Sequence, residues 1–129
     1  MSPRKTTILH VEDDASLQSL VRVSLERLGG YTVCTATDAT QAVALARDTA
    51  PDLLLLDLDL PWMNGVAVLR TLRQLPGLAG VPAVFLTAMN DPAAEVELRV
   101  LGVREVLRKP FRPRPLVEAI DRVLGRKQD

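Results

Sequence analysis

Two of the apolar segments in the sequence lead directly into acidic residues that can do chemistry. Three consecutive acids, Glu12, Asp13 and Asp14, follow the first segment, and Asp57 ends a run of four leucines. Clustered carboxylates without a histidine or cysteine partner are typical ligands of a hard cation such as Mg²⁺. The acids therefore predict a magnesium site, provided that the fold brings Asp57 close to the first cluster.

Two further apolar segments end in a hydroxyl group and an ammonium group. Thr87 ends one of them, and Lys109 directly follows the other. Phosphoryl transfer needs an oxygen nucleophile, a cation that neutralises phosphoryl charge, and fixed donors for the remaining oxygens. Asp57, the acid cluster, Thr87 and Lys109 offer candidates for all of these roles, so the residue types predict phosphoryl chemistry.

These residues can meet only if the apolar segments are neighbouring strands of one sheet. Segments with apolar residues at helical spacing alternate with them, and glycine, proline and aspartate mark the boundaries. The predicted strands are Thr6–Val11, Tyr31–Ala36, Leu53–Leu56 ending in Asp57, Ala83–Leu86 ending at Thr87, and Val103–Arg108. The predicted helices are Ala15–Leu28, one capped by Asp38 with Gln41 three residues on, Val66–Leu75, one from an Asp91 cap to about Leu101, and Pro115–Leu124 with a Glu118–Arg122 pair.

Five strands alternating with five helices predict a parallel α/β sheet. Tyr31–Ala36 and Val103–Arg108 are the most polar strands and are expected at the edges, whereas the other three are apolar throughout. The order 2-1-3-4-5 satisfies this pattern with right-handed crossovers, which is a doubly wound, flavodoxin-like (βα)5 fold. The chain direction reverses between strands 1 and 3, and ligands bind there beyond the carboxyl ends.

Length and composition fit a single domain, predicted over residues 1–129 with a core at 6–124. Sixteen basic residues balance sixteen acidic ones, so net charge favours neither nucleic acid nor membrane binding. Cys34 is the only cysteine, which excludes an intramolecular disulfide. No apolar run approaches the roughly 18 residues of a membrane span, and the cytoplasm is the predicted location.

Five segments together resemble the motifs of response-regulator receiver domains. In chain order they are Ile8–Asp14, Pro51–Asp57, Leu60–Gly65, Leu86–Ala88 and Lys109–Phe111. Their order and spacing match the family, and the resemblance covers about residues 6–124. It implies a phosphoacceptor of a two-component phosphorelay, which is a signalling module and not an enzyme beyond its own phosphorylation and dephosphorylation.

The resemblance implies a role for each candidate site residue. Asp57 matches the phosphoacceptor, Thr87 the hydroxyl that binds the phosphoryl group, and Lys109 the lysine that pairs with a phosphoryl oxygen. The main-chain amide of Ala88 matches a further phosphoryl donor. The residues that match Mg²⁺ ligands are Glu12, Asp13, Asp57 and, through its main-chain carbonyl, Asp59.

The resemblance also implies partners. A sensor histidine kinase or a histidine phosphotransfer protein is expected as the phosphodonor. A downstream protein effector is expected on the face formed by helix 4, strand 5 and helix 5. Direct nucleic-acid and membrane binding are not expected, and a homodimer is left open.

Two of the departures from the family pattern concern the candidate site. Val106 stands where the family commonly has Tyr or Phe, so the usual inward swing of an aromatic ring is not expected, and Thr87 and Val106 are the candidate switch residues. Asp59, two residues after Asp57, is an uncommon acid that adds negative charge beside the metal.

Several alternatives stay open at this level. Leu54–Asp59 also resembles the Asp-x-Asp motif of haloacid dehalogenase-type phosphatases, although the acid cluster precedes it and the chain has no cap insertion. A receiver-like interaction module that is not phosphorylated is the other alternative, because of Val106. His10 is predicted to be a packed core histidine and not a phosphodonor. Asp14 is either a helix cap or a metal contact, and Trp62 either a packing residue or a partner contact.

Overall fold

The computed structural model describes residues 5–60, 64–88 and 92–126, and strands and helices alternate along it as predicted. None of the described helices has the length and apolar character needed to cross a membrane. The strands are β1 (Thr7–Val11), β2 (Thr32–Ala36), β3 (Leu53–Asp57), β4 (Ala83–Thr87) and β5 (Val103–Arg108). The helices are α1 (Ala15–Val23), α2 (Ala39–Thr49), α3 (Gly65–Arg73), α4 (Pro92–Val100) and α5 (Pro113–Leu124).

The five strands form one parallel sheet in the order β2-β1-β3-β4-β5, so the predicted order is confirmed. The register aligns the carboxyl ends of the strands. Val11 pairs with Leu56, Asp57 pairs with Leu86, and Thr87 pairs with Arg108. Residues that follow β1, β3, β4 and β5 therefore meet at a single edge of the sheet.

The sheet is covered on both faces, which explains why its central strands are apolar throughout. β3 and β4 are buried along their whole length. Leu54, Leu56 and Phe85 face the α2, α3 and α4 side, whereas Leu53 and Leu55 face the α1 and α5 side. Full burial of a side chain of this size stabilises the fold by about 1.5–3 kcal/mol, so these residues hold the site's scaffold rigid.

The predicted helix Ala15–Leu28 is wrong at its carboxyl end. Regular α-helix ends at Val23, and Ser24–Leu28 forms a π-helical turn before β2. The Ser24 hydroxyl donates to the Leu20 carbonyl at 2.6 Å, and the Tyr31 amide donates to the Leu25 carbonyl at 3.0 Å. A serine hydroxyl that bonds back along the helix competes with the backbone ladder, and hydrophobic periodicity does not register this competition.

Other boundaries differ by one or two residues. α5 begins at Pro113 and not at Pro115, because proline needs no amide partner in the first helical turn. α3 spans Gly65–Arg73 where Val66–Leu75 was predicted. Arg122 pairs with Glu105 on β5, at 3.0 Å, in place of the predicted partner on its own helix.

The Asp38 cap of α2 is confirmed, because its carboxylate accepts a bond from the Gln41 amide at 2.8 Å. The Gln41 side-chain oxygen accepts a hydrogen bond from the amide of Thr37, one residue before the cap. The edge strands are the predicted ones. Cys34 on β2 is half-buried and packs against the core on the α2 and α3 side.

Candidate functional site

The predicted acids converge at the carboxyl edge of the sheet. Glu12 and Asp13 follow β1, and Asp57 is the last residue of β3. One carboxylate oxygen from each of the three lies within 4.8 Å of the other two. Glu12 and Asp57 are buried, whereas Asp13 is exposed. Successive strands are added to one side of β1 and then, from β3 onward, to its other side. The site therefore lies at the predicted switch point between β1 and β3.

Asp57 is only 2% exposed and has two donors on the same carboxylate oxygen. The Lys109 ammonium lies 3.0 Å from Oδ1, and the Asp59 amide donates to Oδ1 at 2.9 Å. The amide of Lys109 donates to the Thr87 carbonyl at 2.8 Å, which fixes the residue after β5 against the end of β4. Lys109, which was predicted at the same edge of the sheet as the acids, therefore lies against the acid cluster.

Glu12 is a buried carboxyl group beside another acid. Its Oε1 has no hydrogen-bond partner among the described residues, and the Lys109 ammonium lies 3.8 Å away. Burial raises the pKa of Glu12 to about 8, and repulsion from the Asp57 carboxylate adds to this, while Lys109 opposes it. Without a cation, burial and the Asp57 charge therefore favour the protonated form of Glu12.

His10 is a fully buried core residue, as predicted. Its Nε2 lies 3.8 Å from Glu12 Oε1, and neither ring nitrogen has a hydrogen-bond partner among the residues that the structure describes. Burial, together with the charges of Lys109 and Arg22, lowers the pKa of His10 to about 3. The imidazole is neutral at physiological pH and is closed to a phosphoryl partner.

The raised pKa of Glu12 predicts a stability that falls as pH rises. The folded state binds a proton on Glu12 more tightly than the unfolded state, so this contribution is complete below about pH 4.5 and is lost as pH rises towards 8. Glu12→Gln removes this dependence on pH. We expect the free energy of unfolding of the variant to exceed that of the parent by on the order of 2 kcal/mol at pH 9 without Mg²⁺. Denaturant unfolding at pH 5 and pH 9 measures the difference.

The matched control for this measurement is Glu97→Gln, which neutralises an exposed glutamate on α4. This variant should follow the parent at both pH values. If Glu12→Gln and the parent respond equally to pH, Glu12 is ionised throughout the range and the proposed proton is absent.

The end of β4 carries an arrangement that sequence reasoning missed. The Thr87 hydroxyl lies 3.1 Å from Asp59 Oδ2 and 3.3 Å from Oδ1, and the Ala88 amide donates to Oδ2 at 2.8 Å. The resemblance assigned Thr87 and Ala88 to a phosphoryl group and gave Asp59 a role through its main-chain carbonyl alone. The unusual acid at position 59 was the available signal, because a carboxylate attracts any nearby donor.

Gly65 positions the Asp57 backbone. It is the first residue of α3, and a Cβ atom there would lie 2.5 Å from the Asp57 carbonyl oxygen. The same Cβ would lie 2.9 Å from Leu58 Cα and 2.9 Å from the Phe85 ring. Only glycine permits α3 to begin this close to the end of β3, so the helix start supports the turn that follows Asp57.

The remaining site predictions have mixed outcomes. Asp14 caps α1, because its carboxylate accepts a bond from the Leu17 amide at 2.9 Å. Val106 is half-buried on β5 and packs against the core on the α4 side of the sheet, opposite Phe85. Trp62, predicted as a packing residue or a partner contact, and Asp91, predicted as a helix cap, lie outside the described residues.

Comparison with known proteins gives one consistent family. Residues 8–121 match the response regulator receiver domain family. The chain is 40% identical over 129 residues to the DNA-binding response regulator MtrA of Mycobacterium tuberculosis, covering 100% of this chain and 55% of that protein. It is 35% identical over 120 residues to the phosphate regulon transcriptional regulatory protein PhoB of Pseudomonas aeruginosa, covering 93% of this chain and 52% of that protein. The chain thus spans about half the length of these relatives.

Two solved structures share the fold. The chemotaxis protein CheY4 of Vibrio cholerae superposes with a TM-score of 0.86 at 29% identity, covering 93% of this chain and 99% of that one. The receiver domain of HemR from Leptospira biflexa has a TM-score of 0.83 at 31% identity, covering 97% and 98%.

Proposed function

This chain belongs to the response regulator receiver domain family, and from this premise we propose that Asp57 accepts a phosphoryl group from a phosphohistidine of a partner protein. The single observation that carries the proposal is the buried Asp57 carboxylate with Lys109 at 3.0 Å. Receiver domains are signalling modules, so the modified chain acts by changing its protein contacts.

The chemistry follows from the contacts of Asp57. Its Oδ1 is held by Lys109 and by the Asp59 amide, which leaves Oδ2 outside these two contacts as the attacking atom. An Oδ2–phosphorus bond forms as the bond between phosphorus and the partner's imidazole nitrogen breaks, and the electron pair of that bond stays on the nitrogen. Lys109 is the closest described cation to the negative charge that builds up in this step.

The acid cluster fits a magnesium ion. Glu12 Oε1 is buried without a hydrogen-bond partner among the described residues, and three carboxylates within 4.8 Å form an oxygen donor set suited to a hard cation. Glu12, Asp13 and Asp57, with the main-chain carbonyl of Asp59, would hold the ion. When bound, the ion supplies positive charge that offsets the phosphoryl oxygens and the carboxylates.

Asp13→Asn should weaken Mg²⁺ binding by at least about tenfold, because it removes one of three anionic ligands. Amide shifts in a Mg²⁺ titration measure the affinity. Asp14→Asn is the matched control, since asparagine caps a helix as well as aspartate and Asp14 acts as the cap of α1. Equal Mg²⁺ affinities for Asp13→Asn and the parent would remove Asp13 from the ligand set.

The phosphodonor is proposed to approach between α1 and the chain after β5. A groove of about 490 Å³ opens there, beside Lys109, and its apolar wall includes Leu17, Leu20 and Phe111. Leu20 is 38% exposed. Apolar side chains that border a charged site suit a helical partner that presents its phosphohistidine to Asp57.

Signal output is proposed to leave through the face of α4, β5 and α5. Val96 and Val100 on α4 are 62% and 81% exposed, which is the largest exposure among the described large apolar side chains. Thr87 and Val106 lie on the same side of the sheet as α4, so a shift at the end of β4 is transmitted to that helix. A downstream protein is the proposed occupant, and a second copy of the chain is the alternative.

Phosphorylation should shift the amide resonances of Thr87, Ala88 and α4 most, with smaller shifts near Val106, which is too small to act as a swinging ring. The mechanism is a population shift, because the favoured state makes better contacts with the phosphoryl group. NMR spectra with and without a phosphoryl mimic on Asp57 test this expectation. Shifts limited to the loops around Asp13 and Asp57, with α4 unchanged, would contradict the output route and leave phosphorylation itself intact.

Incubation with a small phosphodonor and Mg²⁺ tests the proposed function directly. One phosphoryl group should be added per chain, and peptide mapping should locate it on Asp57. The family match does not favour the phosphatase alternative, which predicts sustained turnover of a phosphomonoester that Asp59→Asn abolishes. Absence of labelling, with Mg²⁺ binding intact, would favour the interaction module that is not phosphorylated.

A further inference from the structure

Asp59 takes the hydrogen-bond donors that the phosphoryl group is expected to use. The Thr87 hydroxyl contacts both oxygens of its carboxylate, at 3.3 and 3.1 Å, and the Ala88 amide donates to Oδ2 at 2.8 Å. These donors end β4, at the edge of the sheet where Asp57 lies. The side chain of Asp59 is not part of the acid cluster formed by the described residues, and its carboxylate accepts hydrogen bonds at the end of β4.

We propose that, in the unphosphorylated chain, the Asp59 carboxylate occupies the site that the phosphoryl oxygens take after phosphorylation. The carboxylate holds Thr87 and Ala88 in place until a phosphoryl group displaces it. The inference rests on the proposed function of Asp57. A carboxylate and a phosphoryl group both present anionic oxygens to the same kind of donor. Asp59 is therefore a positioning residue for the switch, with no part in bond making.

The turn after β3 aims Asp59 at the end of β4. The Asp59 amide donates to Asp57 Oδ1 at 2.9 Å, and the preceding Leu58 amide donates to the Leu86 carbonyl at 2.8 Å. Leu58 and Leu60 are both buried, and they anchor the turn on either side of the exposed Asp59. The backbone therefore holds the carboxylate against β4 independently of any ligand.

Two consequences follow for the switch. An incoming phosphoryl group must break the contacts of Asp59 with Thr87 and Ala88, so phosphorylation is slower than the acid cluster alone would make it. The Thr87 hydroxyl is already engaged before phosphorylation, so it exchanges a carboxylate oxygen for a phosphoryl oxygen when the phosphoryl group arrives. The carboxylate also repels an anionic donor, and the experiment must separate this charge effect from the hydrogen bonds.

Amide hydrogen exchange of Ala88 in the unphosphorylated chain tests the hydrogen bonds without any phosphodonor. Ala88 is exposed, and its amide donates to Asp59, so Asp59→Ala should speed exchange by about tenfold. Asp59→Asn should give an intermediate rate, because its amide oxygen still accepts a bond without the charge. Glu97→Gln is the matched charge control, since Glu97 borders the same surface cavity as Asp59, and it should leave the exchange rate unchanged.

Labelling by a small phosphodonor tests the displacement. Asp59→Ala should label faster than Asp59→Asn, and both should label faster than Glu97→Gln, which should match the parent. Equal rates for Asp59→Ala and Asp59→Asn, together with unchanged Ala88 exchange in both, would overturn the proposal and leave a pure charge effect. If the parent and every variant fail to label, the proposed function of Asp57 fails, while the exchange measurement still decides whether Asp59 occupies the site.

Discussion

Asp57→Asn should lower labelling by a small phosphodonor by at least about three orders of magnitude. The substitution keeps the shape of the side chain and replaces the nucleophilic carboxylate with an amide, which is a poor nucleophile. Asp57 is 2% exposed, so the amide that replaces its carboxylate stays buried at the same position. Mass spectrometry of the intact chain, after timed incubation with Mg²⁺ and the phosphodonor, measures the rate.

Asp14→Asn is the control for this prediction, because it makes the same chemical change two residues after Glu12 and retains the helix cap. It should label at the parental rate. Circular dichroism and unfolding should show that Asp57→Asn is folded, since the change also removes one charge from the acid cluster. Labelling of Asp57→Asn at the parental rate would show that another residue accepts the phosphoryl group.

Gly65→Ala should destabilise the fold by about 3 kcal/mol or more and slow phosphorylation at the same time. The new methyl group would lie 2.5 Å from the Asp57 carbonyl oxygen and 2.9 Å from Leu58 Cα, and backbone atoms cannot rotate away as side chains can. Alanine usually stabilises a helix relative to glycine by up to about 1 kcal/mol, so the sign of the effect reports the clash. Denaturant unfolding measures the free energy, and the labelling rate measures the displacement of Asp57.

Gly80→Ala provides the matched control, because a Cβ at Gly80 meets no atom within 4 Å and the backbone there is not left-handed. It should change stability by less than about 0.5 kcal/mol and leave labelling at the parental rate. If Gly65→Ala is as stable as Gly80→Ala, α3 can move away from β3 at little cost, and the close approach is not a constraint on the site.

The sheet order and the meeting of the acids were predictable because both depend on simple patterns. A strand apolar on both faces must be central, and parallel strands bring their carboxyl ends to one edge. Once Leu53–Asp57 was recognised as central, Asp57 had to lie near the residues after β1. The roles assigned to Thr87 and Lys109 required the family resemblance, because a single threonine or lysine after a strand is most often structural.

The contacts of Asp59 could not be predicted, because they depend on the direction of a side chain in a turn. Position 59 lies two residues after Asp57, so the sequence alone suggests that its charge lies beside the predicted metal site. The hydrogen bond from the Leu58 amide to β4 fixes the turn, and in this turn the Asp59 carboxylate faces Thr87 instead. The π-helical turn at Ser24–Leu28 was missed for a similar reason, since one hydroxyl bond is invisible to periodicity.

The distribution of the site over the strands sets the order in which it can mature during synthesis. Glu12 is synthesised first and Lys109 last, and the pairing of β1 with β3 does not involve β5. In a nascent chain that ends before β5, Glu12 and Asp57 can already meet, but the ammonium that lies 3.0 Å from Asp57 is missing. The lysine charge that opposes protonation of Glu12 is then missing, so Glu12 stays neutral beside Asp57 until docking of β5 completes the site in a single late step.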